Sequence, residues 1–321
     1  MNKNTKFASL LLSAFITTIA VPEVTLSQNA ERYYFQQGNV HLKEDNLQQA
    51  IESYTRAIEI NPDYADAYFN RGVAYDQQGN FQQAIESYTR AIEINPSHAM
   101  AYVNRGVVYL EQGNFQQAIQ DSTQAIEINP NNAYAYYNRG SAYDGQGNSQ
   151  QAIQDYTQAI ELNPDDADAY YNRGVAYSEQ GNFQQAIESY TRAIEINPND
   201  ADAYNNRGRI HLEQGNLRQS IQNLNQAIKL NPNNAYAYLN RGVAYSEQGN
   251  FQQAIESYTR AIEINPNYAN AYLNRGVIYL EQGSLQEGIE NLEKAATLFQ
   301  ERGLEQQYRV IQELLNELRS F

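Results

Sequence analysis

Seven asparagines, Asn70, Asn104, Asn138, Asn172, Asn206, Asn240 and Asn274, recur 34 residues apart, each followed by Arg and Gly. A primary amide carries two donors and one acceptor, the set that pairs with both halves of a peptide bond whatever side chain accompanies it. Asn is also a poor helix former, about 0.5 kcal/mol worse than Ala at an interior position. A helix that repeats it therefore needs a compensating contact. Two would serve: the backbone of another chain, or the protein's own neighbouring helix.

Other chemistries find no matching residues. The absence of Cys removes disulfides, thiolate metal sites and cysteine catalysis. His41, His98 and His211 are scattered, with no second His at metal-ligand spacing. The glycines form no phosphate loop, and no nucleophile has a base placed beside it. Neither catalysis, a metal nor a cofactor is expected. The balance of 22 basic against 37 acidic residues, a net −15, repels a phosphate backbone. Nucleic acid is excluded as an expected partner, and basic surfaces are favoured.

The elements that position the amides follow from the same period. Pro62, Pro96, Pro130, Pro164, Pro198, Pro232 and Pro266 are also 34 apart. With each Pro as position 32, the chain divides into 31–64, 65–98, 99–132, 133–166, 167–200, 201–234, 235–268 and 269–302. Each segment holds two helical periods. In the first, positions 4, 8 and 11 (Tyr68, Gly72, Tyr75; Tyr170, Gly174, Tyr177) share a face; in the second, Ala84, Tyr88 and Ala91 do. Position 33 (Asp63, Ser97, Asn131, Asp165, Asn199, Asn233, Asn267) reads as an N-cap. Gly79 and its equivalents end the first helix, and Asn80 with Gln83 reads as a capping box for the second. Glu52–Arg56, Glu86–Arg90, Glu188–Arg192 and Glu256–Arg260 stand four apart, as exposed helix pairs do. One helix pair cannot bury its own stripe, so the pairs must stack. The last segment, 303–321, carries Tyr308, Ile311, Leu314, Leu315 and Leu318 on one side and reads as a capping helix.

The run Tyr68, Gly72, Tyr75, Ala84, Tyr88, Ala91 and Pro96 resembles the tetratricopeptide repeat (TPR) family, and the resemblance extends over all eight segments. Departures are Tyr for the usual Trp, His41, Ser122 and Leu224 at aromatic places, and Gly288 for Ala. The resemblance implies an all-α fold, a right-handed α-solenoid of eight antiparallel helix pairs with a C-terminal cap. It further implies an inner face built from positions 2, 5, 6, 9, 12 and 13 of each first helix. A similar asparagine ladder lines the repeat region of the nucleocytoplasmic glycosyltransferase that modifies Ser and Thr, where it holds extended peptide.

On that basis the expected groove comprises Phe69, Asn70, Asn104, Tyr134, Tyr137, Asn138, Asp168, Tyr171, Asn172, Asn205, Asn206, Arg209, Asn240 and Asn274. Apolar pairs such as Phe69 with Val73 and Val103 with Val107 would line it, unless they pack on the neighbouring helix. The Arg of each Asn-Arg-Gly lies at the edge of the buried stripe and is expected to be structural. A protein or peptide partner is the expected ligand; the alternative is a self-assembling homo-oligomer or envelope spacer.

The N-terminus is of another kind. Basic "MNKNTK" precedes apolar "FASLLLSAFITTIAV", and Pro22 follows. This is the layout of an export signal over 1–29, shorter than the roughly 20 apolar residues of a membrane helix. A periplasmic, cell-envelope or extracellular location, with no span left after cleavage, is the expectation.

Overall fold

The computed structural model describes residues 23–319, and its seventeen elements are all α-helices. The expected export segment falls outside the described residues except for its last few, which begin the first helix.

The chain gathers into two compact units, Met1–Pro130 and Asn131–Phe321. The first contains α1 (Glu23–Lys43), α2 (Leu47–Ile60), α3 (Ala65–Gln77), α4 (Phe81–Ile94), α5 (Ala99–Glu111) and α6 (Phe115–Ile128). The second contains α7 (Ala133–Gly145), α8 (Ser149–Leu162), α9 (Ala167–Glu179), α10 (Phe183–Ile196), α11 (Ala201–Glu213) and α12 (Leu217–Leu230). It continues with α13 (Ala235–Glu247), α14 (Phe251–Ile264), α15 (Ala269–Glu281), α16 (Leu285–Glu301) and α17 (Glu305–Arg319). In each unit the odd and following even helix pair closely, and successive pairs stack, the α-solenoid arrangement.

The buried stripe keeps positions 4 and 8 (Tyr68, Gly72; Tyr170, Gly174) but is completed by positions 3 and 10 and not by position 11. Positions 3 and 10 (Ala67 and Ala74; Ala169 and Ala176; Ala203 and Ile210) are fully buried, whereas Tyr75 and Tyr177 at position 11 are only half-buried. The reason is that, within each unit, a first helix that follows another pair touches two second helices, its own and the preceding one. Glycine at position 8 lets the partner helix come close. A Cβ at Gly72 would stand 2.6 Å from Tyr88 Cε1.

Three further expectations are corrected. The N-cap lies at position 34, not 33: Asn132, Asp166, Asp200 and Asn234 accept from the backbone N–H three residues on, as does His98 through Nδ1. Position 33 instead donates its N–H to the Asn before the proline, as Asp63 does to Asn61 Oδ1 at 3.1 Å. Asn80 does stand at the N-cap of α4 but makes no side-chain cap bond; its amide nitrogen donates to Gln78 Oε1 at 2.8 Å. The exposed arginines also choose a different acid. Arg90 and Arg260 pair with Glu93 and Glu263, three residues on, at 2.6 and 2.7 Å. Glu86 is taken by Gln82.

Between helices of a pair the chain turns through a left-handed residue. It is Gly79 (φ 76°) after α3, with the Asn80 N–H reaching back to the Tyr75 carbonyl at 2.8 Å. The turn after α1 uses Asp45 (φ 59°) instead. A side chain in this region costs about 1–2 kcal/mol. Asp45→Gly is accordingly expected to stabilise the chain by roughly 0.5–1 kcal/mol, read as a higher urea midpoint with an unchanged m-value.

At the other end α17 turns Ile311 and Leu315 into a core with Leu292, Ala295, Ala296, Leu298 and Phe299 of α16. Tyr308, Leu314 and Leu318 flank them.

Candidate functional site

The asparagine face is built from the first helix of each pair. In the first unit Asn70 Nδ2 donates to Asn39 Oδ1 at 2.9 Å, the same oxygen that accepts from the Tyr54 hydroxyl at 2.8 Å. Burial pushes that hydroxyl up to about 12, the neighbouring Asn70 amide working the other way. Asn104 stands beside the buried Tyr88 hydroxyl. Phe69 is half-buried, its ring 4.7 Å from His98 and 5.8 Å from Tyr88. Val103 is a core residue, so the apolar member of position 5 there packs inward.

In the second unit the amides join tyrosines one repeat earlier. Asn172 Nδ2 donates to the Tyr137 hydroxyl at 2.8 Å, and Asn206 Nδ2 to the Tyr171 hydroxyl at 3.1 Å. Those rings stand 5.8 Å from Tyr156 and Tyr190 respectively, which fixes their direction. Burial raises both hydroxyls above the usual tyrosine value, helped by the charges of Asp168 and Asp166 at Tyr137 and of Asp202 and Asp200 at Tyr171. Asn172 uses one donor on a tyrosine and carries a further donor and an acceptor, whereas the Asn206 amide also stands against the Tyr190 hydroxyl. Asn205 donates to Asn206 Oδ1 at a long 3.4 Å, and its own Oδ1 is buried without a partner. Arg209 bonds Glu213 and, at 2.9 Å, Ser178 Oγ. Asn274 stands beside the Tyr258 hydroxyl, and Asn240 is half-buried. Asn138 is buried at 6 % exposure, the most enclosed of the seven.

Outside these amides runs a rim at position 2. Tyr134 and Tyr236 are both 66 % exposed, and the exposed Asp168 and Asp202 stand at the equivalent places of α9 and α11. Asp144, further along α7, is held above the usual carboxylate range by burial and by Glu179. The face is thus half-buried amide and phenol, edged with acid and with open aromatic rings.

The arginine after each Asn faces away from this surface, and in Arg71, Arg105, Arg173, Arg207, Arg241 and Arg275 it ties three helices together. Arg71 donates through Nε to Ser87 of α4 at 3.3 Å and through Nη1 to Thr55 of α2 at 3.4 Å. Arg173, Arg207, Arg241 and Arg275 repeat this with Ser189, Asn223, Ser257 and Asn291 on one side and Thr157, Thr191, Asn225 and Thr259 on the other. Arg105 and Arg139 meet aspartates instead, Asp121 and Asp155, through Nε and Nη2 at 2.7–2.8 Å. Each guanidinium also lies 5.1–5.7 Å from the ring of the tyrosine three residues earlier. The acceptors had a sequence signal that went unread: a small polar or acidic residue always 16 positions after the arginine.

Among the described residues no group of three metal-ligating side chains converges, and no helix is long and apolar enough to cross a membrane.

Four family models described as Tetratricopeptide repeat match residues 137–201, 65–98 with 235–268, 97–165, and 189–222 with 257–290; one described as TPR repeat matches 34–79 and 208–249. A search of curated proteins returned no match. Among solved structures, YrrB, described as a TPR protein with an unusual peptide-binding site, is 26% identical with a TM-score of 0.53, over 58% of this chain and 96% of that one. PilF of Pseudomonas aeruginosa is 20% identical with a TM-score of 0.59, over 66% and 96%. A repeat protein from Parabacteroides merdae is 22% identical with a TM-score of 0.57, over 77% and 98%. The last two likenesses concern the fold alone.

Proposed function

We propose, from the premise that the chain belongs to the tetratricopeptide repeat family, that it is a protein-interaction scaffold whose first-helix face holds an extended, basic segment of a partner. The observation that carries this reading is the repeated Tyr–Asn pair, Tyr137 with Asn172 and Tyr171 with Asn206, beside Asp168 and Asp202. The tyrosine orients each amide and leaves that of Asn172 with a donor and an acceptor for a peptide bond, while the acids and the exposed Tyr134 and Tyr236 suit Lys or Arg. A preformed surface of this kind loses little entropy on binding. The likeness to YrrB, a TPR protein with an unusual peptide-binding site at 26% identity, supports a peptide ligand. The helix-to-helix bonding of the amides is part of this proposal, because the same contact that stabilises the array also fixes the amide's direction. No catalytic step is assigned to the chain. The segment 1–29 is proposed as its export signal, which N-terminal sequencing of the native protein tests.

The test is a peptide array of basic, neutral and acidic extended sequences, with hits measured by fluorescence anisotropy. Basic peptides are expected to bind, with affinity falling as salt rises. Asn172→Ala/Asn206→Ala should weaken them by about tenfold, equivalent to about 1.4 kcal/mol, with the helical circular dichroism retained. Equal binding of acidic peptides, or undiminished binding by the double variant, overturns the reading.

A second reading rests on the C-terminal end, where Val310 is 61 % and Leu304 39 % exposed and a crevice runs between Leu273 and Ile311. Self-association there would show as a mass that rises with concentration in light scattering.

A further inference from the structure

The arginine staples differ in charge balance: Arg71, Arg173, Arg207, Arg241 and Arg275 meet neutral acceptors, and what sets Arg207 apart is the lining of the crevice beside it. Arg105 and Arg139 are neutralised by Asp121 and Asp155. Arg207 has only neutral acceptors, Asn223 Oδ1 at 2.8 Å and Thr191 Oγ1 at 2.9 Å. It lies in the wall of a crevice of about 520 Å³ bounded by α10, α11 and α12, on the side away from the asparagine face. That volume is of the size that small-molecule sites occupy.

The lining of this crevice contains no carboxylate. Gln222 and Gln226 occupy the places that Glu188 and Arg192, or Glu256 and Arg260, hold in other repeats. His211 stands where most repeats have a tyrosine, and its Nδ1 is buried without a partner. The contrast with a similar crevice of about 560 Å³ on α13 and α14 is direct. There Arg241 and Arg260 are accompanied by Glu256 and Glu263, so the charges cancel within the wall. At Arg207 the nearest acid acting on the guanidinium is Glu195, which is outside the lining. Burial and the Arg207 charge both hold His211 below its usual range, so the imidazole is neutral and able to take up a proton.

We propose that the crevice over Arg207 is a binding site for a small carboxylate anion, independent of the peptide face. The chain itself shows how the arginine at this position receives a carboxylate, since Asp121 and Asp155 fill Nε and Nη2 of its equivalents. At Arg207 the Nε bond goes to an amide, and the guanidinium retains its full charge toward the crevice. The surrounding amides of Gln219, Gln222 and Gln226 supply donors for the remaining oxygens.

The test uses succinate as the probe, with the His211 ring proton followed by NMR and assigned by its loss in His211→Gln. Succinate should shift this signal saturably and raise the pH at which His211 titrates, because a bound anion offsets the Arg207 charge. Asn223→Asp copies the pairing already present at Asp121 and Asp155, so it folds, fills the guanidinium from within and should abolish the shift. Gln222→Glu places a charge on the exposed rim without touching the core and should weaken binding at least tenfold. Absence of a saturable shift in the wild type, or binding unchanged in either variant, overturns the proposal.

Discussion

Arg105→Ala is expected to lower stability by about 3–5 kcal/mol, the cost of leaving one partner of a buried ion pair alone. Asp121, at 4 % exposure, receives both Nε and Nη2 of this arginine, and its loss leaves a carboxylate enclosed between α5 and α6 with its guanidinium partner gone. The same change removes the bond to Thr89 of α4, at 2.9 Å, and the cation–π contact with Tyr102. Asp121→Ser has a different expected outcome. It recreates the arrangement of Arg71 with Ser87 and Thr55, and should cost only about 1 kcal/mol. The double variant Arg105→Ala/Asp121→Ser should recover at least half of the loss, because the enclosed charge is gone. Urea unfolding followed by circular dichroism reads all three. A single Arg105→Ala variant as stable as the wild type would mean that the pair is solvated and not structural.

The second large effect concerns the close approach at position 8. Gly242→Ala would place a Cβ 2.4 Å from Cε1 and 2.6 Å from Cδ1 of Tyr258, a ring that is almost fully buried and cannot swing aside. The helices must separate or the ring must leave its rotamer, at about 1–3 kcal/mol. Gly106 supplies the internal control. Its second helix carries Ser122 in place of the tyrosine, and a Cβ there finds its nearest neighbours at 3.5 Å. Gly106→Ala should therefore be neutral or stabilise by about 0.5–1 kcal/mol, the ordinary gain of Ala over Gly inside a helix. Opposite signs at two equivalent positions are the expected result, and equal effects would remove the ring contact as the cause.

Much of the fold was legible because the 34-residue period repeats every signal. The glycines after the first helices from α3 onward, the prolines after the second helices up to α14 and the apolar side of 303–321 all state local backbone requirements, and local requirements survive without knowledge of neighbours. What the sequence did not show was which neighbour a polar group would find. Asn80 had a cap within reach and chose Gln78. Arg90 had Glu86 four residues before it and pairs with Glu93, next to the Tyr68 hydroxyl, which is contributed by the other helix of the pair. The burial of positions 3 and 10 beside positions 4 and 8 has the same origin, since a helix held between two others buries a wider face than one read alone. The Tyr–Asn pairs also depend on an interval of 35 residues between first helices, one more than the period, and only the stacking reveals it.

Each staple has a consequence for how such a molecule changes in length. The arginine reaches 16 residues forward and 16 residues back, to equivalent rungs on two successive second helices. An added or lost copy of the whole 34-residue module leaves both reaches intact at every junction, while any other insertion breaks two junctions at once. Copy number is then a freely varied trait and module length a frozen one, in keeping with the complete identity of 172–199 and 240–267.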